Sequence, residues 1–232
     1  GESRGDIVGG HLGSFEPLVE DGAGLIADWL ERTPGPHVAI GHSMGGHLLL
    51  RILAERHPPL AAAVLVAPMI CVNASPIPPW LGRIAARILA GLGLSRRRAW
   101  KENERPGLRR SLRQTYLTGS PERYADELWW HSRHPGFALG PPSWGWMDAA
   151  FRSIARLTPE ALAGVDLPVL LLGTDRDRLV SPTAIRRAAS LLPRAELLMF
   201  PAAAHELLRE SDPVRLAALD RIDTFLSEHA PS

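Results

Sequence analysis

The fold class can be inferred from residues 37–67, which read HVAIGHSMGGHLLLRILAERHPPLAAAVLVA. Residues 37–41 and 61–67 are short apolar runs with the length of buried strands, and residues 44–56 carry apolar side chains at helical spacing. A strand, a helix and a second strand in such short succession form a βαβ unit, which requires a parallel sheet covered by helices. We therefore predict an α/β fold.

The same alternation of elements extends to both ends of the chain. Apolar runs at 168–173 and 195–200 predict two more strands, and the patterns at 182–192 and 213–229 predict helices that follow them. Helical spacing at 15–30 predicts one helix before the βαβ unit. These elements belong to one sheet with helices on its faces.

Residues 73–146 interrupt this pattern. They are rich in proline and glycine, hold most of the tryptophans and contain no convincing strand, although 80–92 has helical spacing. We interpret 73–146 as a mostly helical insertion that divides a core formed by 1–72 and 147–232.

A candidate nucleophile lies at the end of the first predicted strand. Residues 41–46, GHSMGG, fit the pattern G-x-S-x-G, and they follow an apolar strand and open a helix, which is the context that a nucleophile turn requires. Such a turn strains the serine backbone, so its closest neighbours must be small, as Gly41, Gly45 and Gly46 are. The pattern predicts Ser43 as nucleophile and the backbone N–H of Met44 as an oxyanion donor.

A serine nucleophile needs a base, and the base needs an orienting acid. The acid and base follow the serine in the order Asp or Glu, then His, in folds of this type. Asp175 and Asp177 follow the strand at 168–173, and His205 follows the strand at 195–200. Both aspartates are candidates, and the spacing Gly-x-x-x-Asp-x-x-Val favours Asp177.

The other histidines fit structural roles better than catalytic ones. His42 and His47 flank Ser43, but they lie on its own turn and helix. Five further histidines are expected at ordinary surface or capping positions: His11, His57, His131, His134 and His229.

Five segments resemble the α/β-hydrolase fold and, within it, the lysophospholipase L2 and monoacylglycerol-lipase-like group of serine hydrolases. They are GHSMGG at 41–46, AVLVAPM at 63–69, PPSWGWMDAAFRSI at 141–154, DRLVSP at 177–182 and HELLRESDPVR at 205–215. The resemblance implies that Ser43, Asp177 and His205 form a catalytic triad and that the insertion is a lid over an acyl pocket. In the tryptophan-rich segment, we expect Trp144 and Trp146 to contact the substrate.

The expected reaction is hydrolysis of a carboxylic ester through an acyl-enzyme, without a metal or a cofactor. The resemblance indicates a lysophospholipid or a monoacylglycerol as the substrate. A general carboxylesterase or a related peptidase would use the same triad, so both remain alternatives. A non-catalytic binding protein with a hydrolase-like fold is the alternative from a different class.

The N-terminal part departs from this family. Its members begin with several strands and a His-Gly loop that supplies a second oxyanion donor, and nothing of that kind precedes Ser43. The opening GESRG at 1–5 resembles the end of a Gly-His-Gly-x-Ser turn. Strand 37–41 is apolar on both faces, which is typical of a strand with a neighbour on each side. We therefore expect an N-terminally truncated α/β-hydrolase.

Charge is distributed unevenly along the chain. The whole sequence has a formal net charge of +1, and no nucleic-acid-binding motif is present, so we do not expect a nucleic-acid partner. Residues 83–113 hold nine arginines and one lysine against two glutamates, a net charge of +8. Such residues suit either an anionic membrane surface, contacted through Arg96, Arg97 and Arg98, or a solvated arginine face. A cytoplasmic protein with a peripheral membrane contact is the prediction.

Overall fold

The computed structural model describes residues 10–73, 78–99, 112–137 and 141–231. The opening GESRG and residues 100–111 of the basic segment lie outside the described residues. None of the helices in the described part of the chain combines the length and the hydropathy of a bilayer-spanning segment.

A four-stranded parallel sheet forms the centre of the described chain. Its strands are β1 (Val38–His42), β2 (Ala62–Val66), β3 (Val169–Thr174) and β4 (Ala195–Phe200), and they lie in the order in which they occur in the sequence. Each begins within one residue of its predicted start. The prediction of an α/β fold with a parallel sheet is confirmed.

Nine α-helices surround the sheet in the described residues. They are α1 (Glu16–Arg32), α2 (Met44–Arg56), α3 (Pro79–Leu89), α4 (Leu112–Leu117), α5 (Pro121–Arg133), α6 (Trp144–Ile154), α7 (Pro159–Ala163), α8 (Pro182–Leu191) and α9 (Asp212–His229). A π-helical turn, Ala90–Leu94, continues α3, and short 3₁₀ helices occupy Pro135–Phe137 and Leu207–Arg209.

Two helix boundaries differ from their predicted positions for local reasons. The α-helix predicted for 80–92 ends at Leu89, and the following turn contains Gly93 at a φ of 82°, which interrupts helical geometry. The apolar pattern of residues 146–157 also predicts a helix, and that helix starts at Trp144 instead. The Ser143 hydroxyl caps it by accepting a hydrogen bond from the Trp146 N–H at 3.1 Å.

The core lies on both faces of the sheet, and the alternation of side chains along β3 shows this most clearly. Val169 and Leu171 pack into the cluster formed with α2, α6 and α8, whereas Leu170 and Leu172 pack into the cluster formed with α9. All four side chains are fully buried. Burial of each such side chain stabilises the fold by about 1.5–3 kcal/mol.

At the edge of this sheet, β1 pairs only with β2 among the described residues. Ile40, in the middle of β1, is 52% exposed. A second neighbour for β1, expected from its apolar sequence, therefore stays a prediction.

The described part of 73–146 contains α3, α4, α5 and the start of α6. Two single β-bridges occur in this region: Val72, the last core residue before the insertion, pairs with Val180 of the core, and Arg98 pairs with Ser143 inside the insertion. Helix α3 packs on α6, where a Cβ atom added at Gly82 would lie 3.5 Å from the Phe151 ring. The division into core and lid stays a prediction.

Candidate active site

The turn between β1 and α2 holds Ser43 in a strained conformation. Its φ of 52° and ψ of −117° lie in a region that non-glycine residues rarely adopt. The Ser43 N–H donates to the Val66 carbonyl at 2.9 Å, and the Ser43 carbonyl accepts from the Met69 N–H at 3.0 Å. Hydrogen bonds from the end of β2 therefore maintain the strain.

Glycine is required beside this turn. A Cβ atom on Gly41 would lie 2.8 Å from the Gly45 carbonyl oxygen, and one on Gly46 would lie 3.0 Å from the Gly41 carbonyl oxygen. The first separation is shorter than side chains allow and the second is at that limit, so the sharp turn depends on Gly41 and Gly46. The expectation that Gly45 must also be small is wrong, because a Cβ atom there would meet nothing within 4 Å.

Ser43, His205 and Asp177 form one hydrogen-bonded chain. Nε2 of His205 lies 2.8 Å from Oγ of Ser43, and Nδ1 of His205 lies 2.8 Å from Oδ2 of Asp177. His205 and Asp177 are 2% and 3% exposed, whereas Ser43 is partly exposed. The serine hydroxyl thus faces the solvent side of an otherwise buried chain of polar groups.

The two candidate aspartates point to different partners. Oδ1 of Asp177 accepts hydrogen bonds from the N–H groups of Leu179 and Val180 at 2.8 and 2.9 Å, which leaves Oδ2 for His205. Asp175 instead forms an exposed ion pair with Arg186 at 2.6 Å. The structure brings Asp177, and not Asp175, to the histidine.

The loop that carries His205 is held by groups that the sequence analysis did not identify. The N–H groups of His205 and Glu206 donate to carbonyl oxygens at the end of α4, those of Tyr116 and Leu117. The preceding N–H, of Ala204, donates to the Glu210 carboxylate. Glu210 belongs to the quoted segment HELLRESDPVR, but its sequence position alone does not reveal this contact.

His42 lies beside the candidate triad. Its ring centroid is 5.0 Å from that of His205. Desolvation of the ring, followed by electrostatic repulsion from the neighbouring His205 imidazole, lowers the pKa of His42 from its ordinary value, although the residue as a whole is exposed. His42 is therefore uncharged at neutral pH and places no second positive charge next to His205.

His47 is a buried structural residue on α2, one turn after Ser43. It is fully buried, and its Nε2 lies 2.6 Å from Oγ of Ser153 on α6. Burial, with a smaller contribution from the Arg51 charge, lowers the pKa of His47 to about 4. The ring is neutral at physiological pH and links the nucleophile helix to α6.

The remaining predicted site residues occupy the following positions. Met44 is the first residue of α2, and the first N–H groups of a helix have no acceptor within the helix. Trp146 is partly buried, and its ring packs edge-on against Phe15 at a centroid distance of 5.7 Å. Trp144 packs beside it in the cluster around Phe151. A substrate contact by either tryptophan stays a prediction.

One cluster among the described residues has atoms close enough to hold a metal ion. It consists of Glu196, Glu228 and His229. Glu196 already forms an ion pair with Arg221, which compensates its charge, and its Oε1 lies 3.2 Å from Nε2 of His229. Glu196 lies near the start of β4, whereas His205 follows the end of that strand. The cluster is therefore at the N-terminal ends of the parallel strands, and Ser43 is at their C-terminal ends.

Chemically, the Ser43–His205–Asp177 arrangement can activate a hydroxyl group. The histidine can remove the serine proton, and the buried carboxylate can orient the imidazole and stabilise it when it is protonated. This is the chemistry of acyl transfer.

Comparison with known proteins supports the same family as the sequence resemblance. The family described as "Serine aminopeptidase, S33" matches residues 1–212. The "Probable lysophospholipase L2" of Haemophilus influenzae is 23% identical over 220 residues, which are 94% of this chain and 68% of that protein. The "Lysophospholipase L2" of Escherichia coli K12 is 28% identical over 240 residues, 95% of this chain and 66% of that protein. The chain spans about two thirds of the length of these relatives.

Solved structures show the same fold. A soluble variant of monoglyceride lipase from Saccharomyces cerevisiae, in complex with a substrate analog, superposes with a TM-score of 0.70 at 18% identity, covering 94% of this chain and 71% of that one. The monoacylglycerol lipase of Paleococcus ferrophilus superposes with a TM-score of 0.67 at 20% identity, covering 94% and 77%. The predicted resemblance is confirmed: the chain belongs to the serine aminopeptidase S33 family of hydrolases and has the α/β-hydrolase fold.

Proposed function

We propose that this protein is a serine hydrolase that cleaves carboxylic esters, with lysophospholipids or monoacylglycerols as its substrates. The observation that carries the proposal is the continuous chain from Ser43 Oγ through His205 to Asp177, with both hydrogen bonds at 2.8 Å. The names of the relatives, lysophospholipase L2 and monoglyceride lipase, support the substrate class.

In the first half of the proposed reaction, Oγ of Ser43 attacks the ester carbonyl carbon and gives its proton to Nε2 of His205. The Met44 N–H donates to the oxyanion of the tetrahedral intermediate. Asp177 accepts the hydrogen bond from Nδ1 and stabilises the imidazolium. When the intermediate collapses, the C–O bond to the alcohol breaks, and His205 returns the proton to the leaving oxygen.

In the second half, water hydrolyses the acyl-enzyme. His205 takes a proton from the water as its oxygen attacks the acyl carbon, and it then protonates Oγ of Ser43 as the acid leaves. The free carboxylic acid and the original serine are regenerated, and no metal or cofactor takes part in either half.

A peptidase is the second candidate, because the matching family is described as serine aminopeptidase. The same Ser43, His205 and Asp177 would attack an amide instead of an ester. The two substrates differ in the leaving group, which is an amine in the peptidase reaction, and not in the residues that activate the serine.

The test is a panel of substrates together with a fluorophosphonate label. We expect the label on Ser43, hydrolysis of p-nitrophenyl esters, lysophospholipid and monoacylglycerol, and no cleavage of aminoacyl p-nitroanilides. Ser43→Ala should lower kcat on the order of a million-fold. The matched control Ser190→Ala, on the exposed face of α8, should have full activity. Cleavage of anilides without esters would establish the peptidase, and an unlabelled Ser43 with no hydrolysis would favour a binding protein.

We also propose that the insertion contacts an anionic phospholipid bilayer. On α3, the apolar side chains of Trp80, Ile84 and Ile88 are 62%, 44% and 55% exposed. They follow one another every fourth residue and therefore form one stripe, beside which Arg83 and Arg87 are also exposed. An exposed apolar stripe flanked by basic residues has the composition of a surface that binds anionic lipid.

A further inference from the structure

His205 lies in an irregular loop whose position depends on hydrogen bonds from outside the sheet. Between the end of β4 and the 3₁₀ turn at Leu207–Arg209, residues 201–206 have no helix or strand of their own. The N–H groups of Ala204, His205 and Glu206 all donate, at 2.8, 3.2 and 2.8 Å. The acceptors are the Glu210 carboxylate, the Tyr116 carbonyl and the Leu117 carbonyl.

The carboxylate of Glu210 lies at the centre of this arrangement. It is 4% exposed. Oε1 accepts from the N–H groups of Ala204 and Gly119, both at 2.8 Å, and Oε2 accepts from the Ser211 N–H at 3.2 Å. Oε1 of Glu210 therefore connects Ala204, the residue before His205, to Gly119 of the insertion. Gly119 lies 91 positions away from Glu210 in the sequence.

The insertion is shaped to receive this carboxylate. A Cβ atom on Gly119 would lie 3.0 Å from Oε2 and 3.5 Å from Oε1 of Glu210, so a larger residue would require the carboxylate to shift. The neighbouring Thr118 hydroxyl donates to the Arg209 carbonyl at 2.7 Å. Residues 116–119 thus bind the second half of the histidine loop and the 3₁₀ turn that follows it.

We propose that Glu210 is a positioning residue: its carboxylate holds His205 within hydrogen-bonding distance of Ser43 and Asp177 and couples that position to residues 116–119 of the insertion. The inference rests on the proposed function, because it assigns His205 the role of the base. Without the carboxylate, the N–H groups of Ala204 and Gly119 lose their acceptor, and only the bonds from His205 and Glu206 to residues 116 and 117 still hold the loop near the serine.

The first test is the kinetics of Glu210→Ala and Glu210→Gln on a soluble short-chain ester. A misplacement of about 1 Å costs up to 100-fold in rate, so we expect kcat of Glu210→Ala to fall by about 10- to 100-fold with little change in KM. Glu210→Gln should recover most of this loss. Its carbonyl oxygen can still accept from Ala204 and Gly119, and only the bond from Ser211 is lost.

The second test does not depend on activity. A histidine Nδ1–H that is hydrogen-bonded to a buried carboxylate gives a proton resonance far downfield of the amides. We expect this resonance of His205 in the unmodified protein and in Glu210→Gln, and its broadening or loss in Glu210→Ala at a temperature where that variant is folded. An unmodified protein that shows the resonance but cleaves no ester would contradict the proposed function, and the variants would still test the role of Glu210.

Two matched controls separate positioning from general destabilisation. Glu196→Ala removes an ion-paired carboxylate from β4 and should leave kcat and the resonance unchanged. If Glu210→Ala does not fold, Gly119→Ala is tested in its place, because the added Cβ atom shifts the Glu210 carboxylate without removing the carboxylate. Its control is Gly136→Ala, where an added Cβ meets nothing within 4 Å. A folded Glu210→Ala or Gly119→Ala with unchanged kcat and resonance would overturn the inference, as would a Glu210→Gln as impaired as Glu210→Ala.

Discussion

Two aspartates in the loop after β3 differ in everything except their type. Asp177 is buried, and its two carboxylate oxygens are divided between backbone N–H groups and His205. Asp175 is largely solvated and paired with Arg186. Only Asp177 can hold the His205 imidazole in one tautomer. Since both residues are aspartates, their different surroundings, and not the residue type, give Asp175 and Asp177 different roles.

This difference predicts opposite outcomes for two equivalent substitutions. Asp177→Asn should lower kcat by up to about 10⁴, because the amide favours the wrong histidine tautomer and cannot stabilise the imidazolium. The matched variant Asp175→Asn should be mild, since an exposed ion pair contributes only about 0–1 kcal/mol. The measurement is kcat on a p-nitrophenyl ester, with a thermal melt to verify folding. The reverse order of effects would assign the acid role to Asp175.

The buried His47 predicts how stability depends on pH. Its pKa is lowered to about 4 in the folded protein, whereas the unfolded chain titrates near the ordinary value of 6.5. Between these values the unfolded state binds a proton that the folded state does not, so stability falls as the pH is lowered from 6.5 to about 4. The contribution is at most about 1.4 kcal/mol per pH unit.

His47→Gln isolates this contribution, because glutamine can still hydrogen-bond to Ser153 but does not titrate. Denaturant unfolding at several pH values should show a smaller loss of stability in His47→Gln than in the unmodified protein over this window. His131→Gln, on α5, is the control and should follow the unmodified protein. Parallel curves for all three proteins would contradict a depressed pKa at His47.

At the scale of elements, α2 is anchored by one fully buried cation. The Arg51 guanidinium is 0% exposed and bonds to Glu16 on α1, to Glu55 on α2 and to the Ser153 hydroxyl on α6. Three helices therefore meet at one side chain, on the helix that begins at the candidate nucleophile.

We expect Arg51→Met to lower the free energy of unfolding by on the order of 3 kcal/mol, because it leaves the largely buried Glu55 carboxylate with only its longer contact to the exposed Arg156, at 3.6 Å. The matched control is Arg56→Met, one turn later on the same helix. Arg56 forms an exposed ion pair with Glu20, so its loss should cost about 0–1 kcal/mol. Urea unfolding of the two variants measures both losses in the free energy of unfolding. Equal losses would show that the buried ion-pair network is no more stabilising than the exposed pair.

The elements that could be predicted are those whose apolar pattern faces the core. The four strands and α2 are examples, since every side chain of β2 and β3 is buried and apolar residues dominate them. Helix α5 was not predicted, because its large apolar side chains, such as Trp129 and Trp130, are about half exposed and give no core-facing stripe. Turn context and chain order predicted Ser43 and His205 as candidate site residues, and the spacing Gly-x-x-x-Asp-x-x-Val favoured Asp177 over Asp175. No local pattern links Glu210 to Gly119, because that contact exists only after folding.

At the scale of the whole molecule, a nearly neutral chain is divided into parts of opposite charge. The basic segment, residues 83–113, has a net charge of +8, so the rest of the sequence must carry −7 to give the total of +1. In the described part of the insertion, the apolar stripe of α3 is exposed to solvent, and so are the adjacent Trp129 and Trp130 on α5. In the described part of the chain, most of the exposed large apolar side chains therefore lie on the insertion, which also carries the basic segment.

This distribution predicts binding to vesicles that contain phosphatidylglycerol and much weaker binding to vesicles of phosphatidylcholine alone. Each basic residue near an anionic surface contributes about 1 kcal/mol, so Arg96, Arg97 and Arg98 changed together to Glu should weaken sedimentation with anionic vesicles strongly. Trp80→Ser with Ile84→Ser should weaken it by removing the apolar contact.

The control Arg187→Glu, on the exposed face of α8, should bind as the unmodified protein does. Because the Debye length shrinks from about 10 Å at 0.1 M to about 3 Å at 1 M salt, the contribution of the arginines should disappear at high salt, whereas that of Trp80 and Ile84 should persist. Hydrolysis of a soluble short ester should be unchanged in all of these variants. Full vesicle binding by the arginine variant at low salt would show that the arginines form a solvated face and do not contact lipid.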